Sequence, residues 1–293
     1  FLVFFIMSLS PIDPAYSALG ETATPEALEE YRVQHGLNDS FFVQYGRYLW
    51  NMLHGDLGTY GVGTSNHVSD LVAQALPVTL QLTFLGLLFA VLLSFPLGVL
   101  AALYRDRWPD QVIRVFSVIG IGTPSFWLAA LMVLGFVGTL PVSGPLPALT
   151  EDPSGWFLRM LLPSIALAVP VVGQMTRVVR TSMVEELDRD YVRTAIGGGI
   201  PKRIVVARNV LRNALITPVT VLGLRIGYLM GGAVVIEIIF SIDGMGKVLL
   251  KGIQENWVTL VQGGALVVAI AFIVVNIIVD MLYLLINPRI RSV

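Results

Sequence analysis

Chemistry needs groups that can hold a metal, attack an electrophile or carry protons, and this chain is sparing with them. It has no cysteine, which removes thiolate metal sites, iron–sulfur clusters, disulfides and a thiol nucleophile. Its three histidines, His35, His54 and His67, stand 19 and 13 residues apart. A helical metal pair needs ligands one turn apart, so no metal site is expected. Gly244-Met245-Gly246-Lys247 has the look of the end of a phosphate loop, G-x-x-x-x-G-K-[ST]. However, Val248 follows where Ser or Thr is needed, and Ser241 stands where the first glycine belongs. The stretch reads as a turn, and the chain is expected to be no enzyme and to hold no cofactor of its own.

What remains is charge in unusual places. Arg225 and Glu237 lie twelve residues apart in one apolar run. That is about 18 Å along an α-helix, too far for them to pair within it. Asp280 sits in another such run. Ionisable groups are costly in apolar spans and usually face protein or water. Glu237, with Arg225, Gly231 and Gly232, therefore marks either a polar translocation path or a contact between helices. Gly223, Gly227 and Gly231 recur every fourth residue, spacing that lets another helix approach closely.

The elements that carry these groups follow from composition. Of 293 residues, 55% are hydrophobic and only 13% charged, beyond what a soluble domain of this size uses. The near-zero net charge of −1 gives no reason to expect a nucleic-acid partner. A membrane-crossing helix needs roughly 20 mostly apolar residues. Five runs qualify: Leu76 to Tyr104, Val112 to Leu140, Phe157 to about Thr176, Ala214 to Phe240 and Val258 to Ile286. Phe1–Leu9 is about half a span and reads as the remainder of a first helix (1–10) whose start is missing. The expected fold is an all-α polytopic membrane protein with six transmembrane helices. An outer loop or cap would cover 11–75, a transmembrane core 76–286 and a short tail 287–293.

Charge assigns sides to the connections. Thirteen of the 19 cations lie in 104–114, 177–212 and 287–293. The alternate connections hold four cations against twelve acids. Because cytoplasmic loops retain Lys and Arg, both termini are expected inside. The outer loop contains two helix-like stretches, Thr24–His35 and Phe41–Leu53, and reads as a lid or a landing platform. The inner loop carries two helical patterns, Val184–Ala195 and Pro201–Leu211, split by Gly197-Gly198-Gly199. Ile200, Ile204, Ala207 and Leu211 recur at helical spacing with Lys202, Arg203, Arg208 and Arg212 around them. Such a basic amphipathic segment either lies on lipid headgroups or is gripped by a soluble partner; periodicity does not separate the two.

Here the residues resemble a known family. Asp190-Tyr191-Val192-Arg193-Thr194-Ala195, then Gly199, Arg208, Leu211-Arg212-Asn213-Ala214-Leu215 and Pro218, is similar to the EAA loop of binding-protein-dependent ABC importer permeases. The B-type subunit of the dipeptide/oligopeptide/nickel group matches best. The likeness runs through Ser10-Pro11-Ile12-Asp13-Pro14, His54-Gly55-Asp56-Leu57-Gly58, Pro77-Val78-Thr79-Leu80, Thr123-Pro124-Ser125-Phe126-Trp127, Gly231-Gly232-Ala233-Val234-Val235-Ile236-Glu237 and Asn287-Pro288-Arg289-Ile290-Arg291. The chain departs from the family pattern at Ile196-Gly197-Gly198, at Ile12 and at Asn287.

The resemblance implies a type I ABC importer permease in a prokaryotic inner membrane. Its implied partners are a second homologous permease, two cytoplasmic ATP-binding subunits that hold ATP and Mg, an extracytoplasmic substrate-binding protein and membrane lipid. It also implies that Asp190, Tyr191, Arg193, Thr194, Ala195, Gly199, Lys202 and Arg203, within a coupling loop at 183–212, contact an ATPase. Peptides or similar small polar solutes are the implied cargo. The alternative is an ion-coupled secondary transporter acting without an ATPase; it should show repeated halves with interrupted spans, and no convincing repeat is visible.

Overall fold

A computed structural model describes residues 1–10, 13–20, 22–62 and 66–286. The motif at Pro11-Ile12 and the tail from Asn287 lie outside the described residues. The chain divides into two compact units, Phe1–Thr79 with Ile242–Ala271, and Leu80–Ser241 with Phe272–Val293.

The first unit begins with α1 (Leu2–Ser8), α2 (Pro14–Leu19), α3 (Pro25–Gln34) and α4 (Phe41–Leu53). Phe4 of α1 packs its ring against Phe41, Tyr45 and Tyr48 of α4, with centroids 5.3 to 5.5 Å apart. Asp13 caps α2 by accepting from the Ala15 amide, and the Arg32 guanidinium of α3 donates to the same carboxylate. A two-residue hairpin, β1 (Thr59–Tyr60) on β2 (Asn66–His67), leads into α5 (Val68–Leu103). Val68, Val72 and Ala75 on the first turns of α5 bury themselves against Met245 and Val248 of α13 (Met245–Gln254) and Leu260 of α14 (Val258–Ile286). The buried Thr79 hydroxyl accepts from the Met245 amide at 2.9 Å, satisfying a donor that the start of α13 would otherwise orphan. The rings of Tyr60 and Trp257 pack with centroids 5.2 Å apart, and the Lys251 ammonium lies 5.8 and 5.2 Å from them.

The second unit is organised on α8 (Pro153–Leu187), which packs against α6 (Trp108–Gly122), α7 (Ser125–Phe136) and α12 (Ile216–Ile239). Its small residues allow the closest approach. A Cβ at Gly173 would stand 2.5 Å from the Ser117 carbonyl oxygen of α6. Trp156 Nε1 donates to Gln81 Oε1 at 2.9 Å, tying α8 to α5.

Four helices are long and apolar enough to cross a membrane: α5, α8, α12 and the Val258–Val279 part of α14. The run expected to be one span from Val112 to Leu140 is built of two helices, α6 and α7, at 99° to one another. The cause is local. Pro124 has no N–H to give and disfavours helical geometry at the preceding residue. Thr123 adopts φ −89°, ψ 115°, while its hydroxyl donates back to the Ile119 carbonyl. Pro163 and Pro170, in contrast, sit within an unbroken α8. Counting the bent pair as one span gives five crossings among the described residues; α1, at seven residues, is too short to add a sixth. The product is an all-α polytopic membrane protein.

Candidate functional site

The segment after α8 is built around one carboxylate. The chain leaves α8 at Asp188, turns extended at Arg189 (φ −67°, ψ 146°) and enters α9 (Asp190–Gly197). The pattern expected as one helix over Val184–Ala195 is therefore broken at 188–189. From α9, the Tyr191 hydroxyl donates to Glu186 Oε1 at 2.8 Å. From α11 (Leu211–Ala214), Asn213 Nδ2 donates to the same oxygen at 3.2 Å. Glu186, on the last turn of α8, thus joins three elements. Burial and this hydrogen bond raise the Tyr191 pKa above its ordinary value, so the hydroxyl stays a donor through neutral pH.

Beneath this polar tie lies an apolar one. Val192 of α9 is buried with Val179 and Met183 of α8, Ala102 of α5, and Val205, Val210 and Ala214; Ala195 packs against the same cluster. Val205 ends α10 (Lys202–Val205), and Val206–Val210 form a single π-helical turn. Of the expected face, only Leu211 packs against this cluster. Ile200 and Ile204 are 46% and 45% exposed, and Ala207 is exposed as well. The buried positions are Val205, Val210 and Ala214, five and then four residues apart. An ordinary helix would rotate Val210 off the Val205 face, and the wider π turn restores it.

The remaining predicted coupling residues point away from the cluster. Asp190 and Arg193 have side chains 98% and 76% exposed, and Tyr191, Thr194, Gly199, Lys202 and Arg203 are exposed too. Gly199 has φ +87°, which lets the chain reverse between α9 and α10 at no Cβ cost. Two further ties, both missed by the sequence reading, join the 104–110 connection to α8. Arg180 donates two hydrogen bonds to Asp110, at 2.6 and 2.7 Å, and Arg105 pairs with Asp188 at 2.9 Å. The residues involved are an acid in the first turn of α6 and an Arg on α8, a pairing visible only once the helices are placed.

The charged residues inside spans separate from one another. Glu237 is fully buried near the end of α12. One turn on, the Phe240 carbonyl accepts from Arg159 Nη2 at 2.5 Å. Arg159, only 2% exposed, also donates to the carbonyls of Val142 and Gly144. Arg225 is half-buried, forms no ion pair among the described residues, and its Nε hydrogen is without an acceptor there. The glycines diverge as well. Gly223 and Gly227 face Val279 and Phe272 of α14, Gly232 faces Leu167 of α8, and Gly231 meets nothing within 4 Å. No cluster of His, Asp and Glu suited to a metal exists among the described residues.

The described residues thus form a helical, multi-span chain with a short exposed helix, α9, tied to the end of α8. Residues 94–292 match the family described as binding-protein-dependent transport system inner membrane component, and residues 1–83 match the N-terminal region of such membrane components. The chain belongs to this family. It is 39% identical, over 99% of its length and 93% of the relative, to a protein of Brucella abortus (strain 2308) named as a peptide transport system permease. It is 38% identical to one of Escherichia coli K12 named as a D,D-dipeptide transport system permease, DdpB, and 37% identical to the glutathione transport system permease GsiC of Salmonella paratyphi A; both matches cover 99% of this chain and 92% of the relative. Among solved structures, the inward-facing methionine transporter MetNI gives a TM-score of 0.58 at 17% identity, covering 74% of this chain and 96% of that one. An amino acid ABC transporter gives 0.55 at 16% identity, covering 75% and 94%. The chain is thus a multi-pass inner-membrane permease subunit of a binding-protein-dependent ABC importer, and as a permease it is a non-catalytic part of that machine.

Proposed function

We propose that this permease carries short peptides inward, forming half of a pore with a second homologous permease and drawing on ATP and Mg held by two separate ATPase subunits. Peptide, D,D-dipeptide and glutathione permeases, each matched along nearly its whole length, support that cargo class. The observation that carries the coupling role is the Glu186 node. It fixes α9 to the ends of α8 and α11 while leaving Asp190, Arg193, Lys202 and Arg203 in solvent. A helix anchored at its root and bare at its face is built to pass a push from a soluble partner into the spans, which favours docking over headgroup anchoring. The excess of Lys and Arg at 177–212 supports a cytoplasmic position for this face and for both termini. The acidic 11–75 region then lies outside, where a substrate-binding protein delivers cargo.

The test is charge reversal of Arg193, Lys202 and Arg203 together in the reconstituted complex. Uptake should fall while ATP hydrolysis loses its stimulation by loaded binding protein. Unchanged uptake and stimulation would overturn the coupling role.

A further inference from the structure

The exposed stripes of two spans differ in chemistry. On α14, the uncovered residues among those described in 273–281, Ile273, Val274, Ile277, Ile278 and Met281, are apolar, as a lipid-facing surface requires. On α12, the uncovered stripe runs Thr217, Thr220, Leu224, Tyr228, Gly231, Val235 and Ile238, at steps of three and four residues. Three of its first four members carry a hydroxyl, and a Cβ added at Gly231 would meet open space. Arg225 lies at the edge of this stripe, ten residues into a 24-residue helix and so well inside the span. Its guanidinium is half-buried without any carboxylate partner among the described residues, whereas the other buried or half-buried span arginines, Arg159 and Arg180, are held by backbone carbonyls or by Asp110.

An uncompensated cation at that depth is expensive unless water or an anion reaches it. A guanidinium offers a planar donor fork that fits a carboxylate with two hydrogen bonds. We propose that the α12 stripe faces the aqueous translocation path and that Arg225 binds the carboxylate of the passing solute. This rests on the peptide-permease reading, since every unmodified peptide carries a C-terminal carboxylate. Glu237, fully buried, then lies outside the path, and selection within the span acts on the anionic end of the cargo.

The absence of cysteine from these 293 residues makes the test direct, because Tyr228→Cys introduces a single thiol among them. In the assembled complex with cysteine-free partners, it is reacted with an anionic sulfonatoethyl and a cationic trimethylammonium-ethyl methanethiosulfonate. Tyr228→Cys should react far faster than Ile277→Cys on α14, and Arg225 should favour the anionic reagent by about tenfold. Arg225→Gln should erase that preference and Arg225→Lys should keep it. Dialanine uptake should fall at least tenfold in Arg225→Gln and recover in part in Arg225→Lys. If Arg225→Gln fails to assemble, the preference is compared at Tyr228→Cys and at Val235→Cys, ten residues and about 15 Å from Arg225; it should fade with distance. Tyr228→Cys as inert as Ile277→Cys would overturn the wet path itself. Reactivity with no anionic preference, or a preference indifferent to Arg225, would overturn only the carboxylate site and leave the permease reading standing.

Discussion

Tyr191 and Glu186, five residues apart across a helix break, are joined by a 2.8 Å hydrogen bond, and the oxygen that accepts it also accepts from Asn213. One carboxylate thus sets the angle at which α9 leaves the membrane core. Glu186→Ala removes both bonds but leaves the apolar cluster around Val192 and Val205 in place. The complex should therefore assemble, hydrolyse ATP and move less solute per ATP. Tyr191→Phe removes only one of the two bonds and should lie between. Measurement of the uptake-to-hydrolysis ratio in vesicles decides it: a ratio equal to that of the parent chain in Glu186→Ala would mean the node does not transmit force.

The spans were legible because lipid leaves the chain few options: the runs from Ala214 and Val258 became α12 and α14 nearly to the residue, and the run from Leu76 became α5, which starts eight residues earlier at Val68. Features that depend on what a helix meets were not. The run from Val112 to Leu140 hides a 99° turn, although Thr123-Pro124 announces it locally. The face proposed from Ile200, Ile204, Ala207 and Leu211 meets the cluster only at Leu211, because the buried positions are Val205, Val210 and Ala214, held on one side by a π turn that a 3.6-residue period does not encode. Arg159 falls inside the apolar run from Phe157, and its acceptors are carbonyls 15 to 81 residues away, which no periodicity encodes. Glu186 carried a fainter signal: an acid on the last turn of a helix opposes the macrodipole, and such a placement needs another reason.

Asp110 has a fully buried side chain, and Arg180 approaches it with two hydrogen bonds while the Asp106 amide supplies a third. Removing Asp110 leaves the largely buried Arg180 without its carboxylate, while removing Arg180 leaves Asp110 only Arg114 at 4.0 Å; breaking such a pair costs up to about 3–5 kcal/mol. Asp110→Asn should lower the thermal midpoint of the purified subunit sharply. Asp110→Leu combined with Arg180→Met, which removes both charges, should recover most of the loss. A double variant as unstable as the single one would show that the site depends on shape and not on charge balance.

Gly173 and Gly231 make a matched pair for packing. At Gly173 an added methyl meets the Ser117 carbonyl at 2.5 Å, and backbone cannot swing aside as a side-chain tip can. Gly173→Ala should force α6 and α8 apart at a cost of about 1–3 kcal/mol. Gly231→Ala meets nothing and gains helix propensity, so its folding should be unaffected or slightly improved. Thermal scans of the two variants side by side test this; equal destabilisation would mean that α8 does not rest on α6 as described.

Asp152 supplies a pH-dependent contribution at the start of α8. It accepts from the Gly155 amide and the Ser154 hydroxyl, which together hold its carboxyl below the ordinary aspartate value. A lowered folded-state pKa means that the unfolded chain takes up the proton first. The contribution is therefore fully present above the ordinary value of about 3.9 and is lost as pH falls through the folded value. Asp152→Ala should lower the thermal midpoint at about pH 7, and the gap to the parent chain should close as the medium is brought to about pH 3. Asp152→Asn keeps a capping oxygen that does not titrate, so its midpoint should vary less with pH than the parent's over the same window. A gap for Asp152→Ala that persists undiminished in acid would show that the ionised carboxylate is not what caps the helix.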